Sequence, residues 1–383
     1  MTVPLQEVQR LGQSIWYDNI RRGLLVSGEL ERLVQMGITG LTSNPTIFEN
    51  AIARSTDYDD ALVPLAREGH DTQETYERLA MEDIRAAADL LRPAYDRTGG
   101  NDGYASLEVS PALAHDTEAT VAEALRLFAA LARPNVMIKV PATPQGIPAV
   151  RRLIGQGINI NATLIFSLEA HRQVMEAYVA GLEDLAQAGG DLSTVASVAS
   201  FFVSRVDTAV DALLDERARQ GQKGADALRG KAAIANAKLA YRSFKGIFDG
   251  DRFAALRARG ARVQRPLWAS TSTKNPAYSD VLYIDNLIGR DTVNTIPPAT
   301  LTAFMEHGQA QATLEQGVAD AQQTLKALAA AGISMEAVTG RLLADGVKAF
   351  ADSYDQLLAK VEEKKARLLA LGHEHQPSAT GTR

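Results

Sequence analysis

The stretch 135-NVMIKVPAT-143 puts a lysine in the middle of what reads as a buried β-strand. Val136, Ile138 and Val140 alternate with Met137 and Lys139, the period of two that sends successive side chains to opposite faces. An ammonium is costly in such a place unless it is paired, or unless its neutral form has a use. Burial lowers a lysine pKa, so Lys139 is expected to offer a free amine near neutral pH.

Seven further strand-like segments lie on either side of this one. They are Ser14 to Ile20, Ile38 to Asn44, Tyr104 to Ser110, Ile160 to Phe166, Thr194 to Val203, Arg262 to Ser270 and Thr292 to Pro297. Helix-period segments separate them. Asp116 reads as the N-cap of a helix, Ser204 with Asp207 reads as a capping pair, and Asn275-Pro276 reads as the opening of a helix over "AYSDVLYIDNLIG". Strand and helix alternating eight times predict parallel pairing through right-handed crossovers and closure into an α/β (β/α)8 TIM barrel, with an open Rossmann-like sheet as the alternative. Residues 1–371 are read as one domain with helical insertions at about 55–97, 221–260 and 309–371, the last forming a C-terminal helical segment. Residues 372–383 are read as a disordered tail.

Composition bounds the function. The chain has 383 residues, 46% hydrophobic and 22% charged, enough for a full core. A formal charge of -6 is mild and of the wrong sign for gripping nucleic acid or an anionic membrane. The chain contains no cysteine, which excludes disulfides, thiolate metal sites and cysteine nucleophiles. With neither a leader-like N-terminus nor a run of about 18 apolar residues, the expected location is the cytoplasm. The histidines show metal-like spacing only at His373 and His375, so no metal is expected, and the glycine clusters fit neither a dinucleotide fingerprint nor a phosphate loop.

In a parallel barrel, chemistry gathers at the C-terminal strand ends. Here those ends carry Asp18, Thr42, Asn44, Glu108, Ser110, Lys139, Asn161, Thr163, Ser200 and Ser270. Plainer readings stand beside each of them. Asp18 and Asn44 also suit turns or caps, the hydroxyls are easily satisfied by backbone, and Glu108 with Lys139 also reads as a buried ion bridge. The lysine carries the sharper meaning: a free amine attacks a carbonyl to form a Schiff base whose iminium withdraws electrons from the adjacent carbon–carbon bond. Asp18 then suits the base for the hydroxyl proton, and Glu108, acting through a water ordered by Thr163, suits the dehydration step.

Together "TSNPT" (42–46), "LEVSP" (107–111), "IKVPAT" (138–143), "GININATLIFS" (157–167) and "SFFVSRVD" (200–207) resemble the transaldolase family, in order from Ser14 to about Pro297 and most like its longer bacterial members. The resemblance implies a Schiff-base barrel of the pentose phosphate pathway. Such an enzyme is a transferase that moves a dihydroxyacetone unit from sedoheptulose 7-phosphate to glyceraldehyde 3-phosphate, giving erythrose 4-phosphate and fructose 6-phosphate, with no cofactor. By the same resemblance Lys139 is the Schiff-base lysine, Asp18 the acid/base, and Glu108 and Thr163 the pair holding a catalytic water. Asn44, Asn161 and Ser200 contact substrate, and phenylalanine at Phe202, where similar aldolases have tyrosine, favours transfer.

For the phosphate, Arg205 stands at a helix start, where free N–H groups and the dipole favour an anion. "ASTSTKN" departs from the family's commoner Ser-x-Arg, offering Ser270 or Ser272 and then Lys274. Two alternatives remain, a Schiff-base sugar-phosphate aldolase releasing free dihydroxyacetone and a non-catalytic sugar-phosphate-binding barrel. Sugar phosphates are the expected partners; the sequence is compatible with a homo-oligomer and does not specify one.

Overall fold

The computed structural model describes residues 4–222 and 224–374. Its centre is a closed barrel of eight strands, each paired in parallel with its sequence neighbours. The strands are β1 (Gln13–Tyr17), β2 (Gly40–Thr42), β3 (Tyr104–Glu108), β4 (Val136–Pro141), β5 (Ile160–Ile165), β6 (Ser197–Phe202), β7 (Arg265–Ala269) and β8 (Thr292–Ile296). Pairing of β1 with β8, Gln13 opposite Thr292 through Tyr17 opposite Ile296, closes the ring and excludes the open sheet. All eight strands fall where the alternation predicts, most with trimmed ends. β2 is the shortest because Asn44 leaves the sheet to cap a helix, and it requires glycine at its start. A Cβ on Gly40 would stand 2.5 Å from the Trp16 indole, directly opposite in register.

Two helix expectations are corrected. Ser204 is the first residue of the helix Ser204–Arg219, with Val203 at the cap position. Asp207, expected to complete a capping pair, instead accepts from the Ala233 N–H (2.8 Å) and the Tyr283 hydroxyl (2.9 Å), both contributed by later segments. The segment after Asn275-Pro276 is a turn, with Asn275 Oδ1 accepting from Ala277 N–H at 2.9 Å, and helix forms only over Leu282–Asn286. The Asp116 cap is present, accepting from Ala119 N–H at 3.0 Å.

The N-terminal end of the barrel is plugged by a buried polar cluster. Asp102 accepts from the Trp16 indole N–H (2.8 Å) and the Ser14 hydroxyl (2.5 Å), Arg265 donates to Ser14 (2.7 Å), and Arg265 and Asp102 form an ion pair at 3.5 Å. Because each charged group has a partner, the cluster tolerates burial, and the opposite end is left to hold the cavity.

The C-terminal segment becomes one long helix, Met335–Glu374, which runs through the first three residues of the expected tail. The rest of that tail, 375–383, lies outside the described residues. One face of the helix, Phe350, Leu357, Val361 and Lys364, is buried. Lys364 Nζ donates to the Ile52 carbonyl (3.0 Å) and pairs with Asp59 (2.6 Å), fixing the helix to the end of the helix Pro45–Arg54. No single described helix is long and apolar enough to cross a membrane.

His171 predicts a pH effect. It is fully buried, neither ring nitrogen has a hydrogen-bond partner, and its ring packs edge-on to Phe201 at 5.4 Å. Burial lowers its pKa to about 3. Below about pH 6.5 the unfolded chain binds a proton that the folded chain refuses, so stability falls as pH drops toward 3. The loss from this residue is about 2 kcal/mol between pH 7 and 5. In urea melts at pH 7 and pH 5, His171→Met is expected to lose about 2 kcal/mol less than the wild type over that interval. Equal losses would mean that His171 does not resist protonation.

Candidate active site

The carboxyl ends of the strands surround a cavity of about 310 Å³. Asp18, Asn44, Lys139, Thr163, Ser200, Phe202, Arg205, Ser270, Ser272 and Lys274 all line it. Glu108 and Asn161 do not line it and stand one contact behind.

Register explains the centre of the site. Glu108, Lys139 and Asn161 are direct partners across β3, β4 and β5, so the three side chains occupy one level of the barrel. Lys139 Nζ lies 3.0 Å from Glu108 Oε2 and donates to the Ser43 carbonyl at 2.9 Å. The ion-bridge contact expected as the plainer reading is therefore present. It is an ion pair without hydrogen-bond alignment, since both Glu108 oxygens are buried and neither has a hydrogen-bond partner. The Thr163 hydroxyl is also buried without a partner. Both amide atoms of Asn161 are engaged: its nitrogen donates to Ser106 Oγ (3.2 Å) and its oxygen accepts from Ser200 Oγ (2.6 Å).

Asp18 follows β1 and accepts from the Thr42 hydroxyl at 2.8 Å. Burial raises its carboxyl pKa, against the lowering effects of the Thr42 bond and of Lys139, Lys274 and Arg205. Burial likewise raises Glu108 against the pull of Lys139. Two carboxylates that hold protons more readily than usual flank one amine, which is the pattern of tuned acid/base sites. Asn44 caps the helix Pro45–Arg54, its Oδ1 accepting from Ile47 N–H at 2.9 Å, so the cap reading holds even though the residue lines the cavity.

Two backbone irregularities shape the mouth. Leu164 has φ 58° beside a register shift in β5, and Ser270 has φ 56° just after β7. Left-handed backbone at non-glycine residues costs on the order of 1 kcal/mol each and concentrates at functional sites. The first adjoins Thr163. The second brings Ser270 Oγ to 2.9 Å from Ser204 Oγ.

The cations meet at the far rim. Arg205 stacks over Phe202, 5.2 Å from its ring centroid, and Lys274 donates to Ser272 Oγ at 2.7 Å. The Lys274 pKa is lowered by burial and then by Arg205, which is how two like charges sharing one space behave. The helix start contributes less than expected, because the Ser204 N–H is already bonded to the Ser270 carbonyl at 3.0 Å. Thr271 points away, bonded to Asn294 Oδ1 and the Thr295 carbonyl, both at 3.0 Å. Ser270, Ser272 and Lys274 therefore present the loop's cavity face.

Sequence reasoning missed Thr46, Asn50 and Phe350, all in the cavity wall. Thr46 belongs to the "TSNPT" run and was findable there. Phe350 comes from the C-terminal helix, whose docking site no local pattern reveals.

Fold and cavity together define a (β/α)8-barrel enzyme with a lysine–carboxylate centre and a cationic rim. Residues 15–361 match the family described as transaldolase/fructose-6-phosphate aldolase. A transaldolase of Thiobacillus denitrificans is 50% identical over 357 residues, covering 93% of this chain and 99% of that one. "Transaldolase 2" of a Nostoc species is 47% identical over 369 residues (94% and 97%), and the Thermobifida fusca transaldolase 48% over 368 (96% and 99%). The chain belongs to the transaldolase/fructose-6-phosphate aldolase family.

Proposed function

We propose that this chain works as a transaldolase, a transferase, through a Schiff base on Lys139. The near-full-length similarity to transaldolases supports the activity. The observation that carries the chemistry is Lys139 in the cavity wall, with Glu108 at 3.0 Å and Asp18 lining the same cavity. Glu108 takes the ammonium proton, and the free amine attacks the ketone carbon of sedoheptulose 7-phosphate. The carbinolamine loses water with a proton supplied from Glu108 through a water that the Thr163 hydroxyl orders, leaving the iminium. Asp18 removes the proton from the hydroxyl beyond the bond that breaks, the electron pair moves toward the iminium, and erythrose 4-phosphate leaves. The enamine then adds to glyceraldehyde 3-phosphate, and hydrolysis frees fructose 6-phosphate and the amine. We expect this to occur in the cytoplasm, within the pentose phosphate pathway.

Acceptor dependence tests the reading. With fructose 6-phosphate as donor, product is expected only when erythrose 4-phosphate is present. Steady release of free dihydroxyacetone without an acceptor would favour the aldolase alternative.

Arg205 and Lys274 suit the substrate phosphate, which would relieve their mutual repulsion. Arg205→Ala and Lys274→Ala are expected to raise KM for fructose 6-phosphate by about tenfold or more, while borohydride trapping of dihydroxyacetone, which has no phosphate, changes little. Equal losses with both ligands would assign the residues to the fold.

A further inference from the structure

Phe350 is buried in the C-terminal helix, yet its ring lies over the reacting nitrogen, with Lys139 Nζ 5.8 Å from the ring centroid. It forms part of the cavity wall. The next turn of the helix fixes its position. Ser353 accepts from the Thr46 hydroxyl at 2.8 Å, and Tyr354 packs edge-on against Tyr76 at 5.7 Å, which in turn packs on Phe48 at the same distance. The helix is therefore docked on both the first turn and the core of Pro45–Arg54, and it carries one large apolar side chain to the amine.

We propose that Phe350 shields the Schiff-base nitrogen from water and so commits the bound three-carbon unit to transfer instead of release. This rests on the Lys139 reading above. Premature release requires two events: a proton must reach the enamine carbon, and water must add to the resulting iminium carbon. The C–N bond then breaks, dihydroxyacetone leaves with the water's oxygen, and the proton balance returns to the amine. A transferase must hold the enamine until an aldehyde arrives, and an apolar ring over the nitrogen denies water its approach from that side. Glu108, Ser43 and the ring thus enclose Nζ on three sides.

The test is the ratio of free dihydroxyacetone to sedoheptulose 7-phosphate formed from fructose 6-phosphate and erythrose 4-phosphate, measured beside borohydride trapping. Phe350→Ala is expected to keep a trappable adduct and raise the ratio by about tenfold, and Phe350→Leu, which restores apolar bulk, to bring it back within about twofold of wild type. Phe350→Val should fall between the two, and it serves if the alanine variant does not fold. An unchanged ratio in folded, trappable Phe350→Ala or Phe350→Val would overturn the shield. If the wild type gives no adduct, the Schiff-base reading fails first and the shield falls with it.

Discussion

Lys139→Met is expected to fold and to transfer nothing. Methionine fills most of the lysine's volume in β4 but supplies no amine, and without the covalent intermediate the rate should fall by more than about four orders of magnitude. Removing one partner of a buried pair usually costs about 3–5 kcal/mol, because the other charge is stranded. Here the stranded group has an escape: Glu108 already holds its proton more readily than an ordinary carboxyl, because burial outweighs the pull of Lys139. In the variant it can bind a proton and become neutral. A cooperative thermal melt with no detectable sedoheptulose 7-phosphate is the predicted combination. Retained transfer with altered stability would make the pair a structural bridge.

Asp18→Asn is expected to separate imine formation from cleavage. The amide can still accept from the Thr42 hydroxyl, which Asp18 holds at 2.8 Å, so the local geometry persists. It cannot take a proton from a hydroxyl. Borohydride should still trap dihydroxyacetone on the variant, while transfer slows by about two orders of magnitude or more. The raised Asp18 pKa adds a pH signature. The base must be ionised to act, so wild-type kcat should fall with decreasing pH at a value above the ordinary carboxylate range, and this limb should be absent in the residual activity of Asp18→Asn. Normal turnover in the variant would move the base elsewhere, with Glu108 the next candidate.

The barrel was legible because its strands are short, largely apolar runs set between helix-period segments. "NVMIKVPAT" and "INATLIF" show this most clearly, and both strands occupy the predicted span to within a residue. The residues around the amine followed, since register alone sets Glu108, Lys139 and Asn161 side by side. The errors have a common physical origin in distant partners. Asp207 looked like half of a capping pair until Ala233 and Tyr283 claimed its carboxylate. The Ser204 N–H looked free for an anion, but the strained turn at Ser270 brings a carbonyl to it. Phe350 was invisible for the same reason: helical periodicity identifies a buried face but not the surface that buries it.

The central claim is that Lys139 is the nucleophile, and the most direct measurement is to incubate the protein with fructose 6-phosphate, reduce with borohydride and map the modified peptide by mass spectrometry. The expected result is one added three-carbon unit, located on Lys139 and absent from Lys139→Met. No adduct, or an adduct on another lysine with residue 139 unmodified, would contradict it.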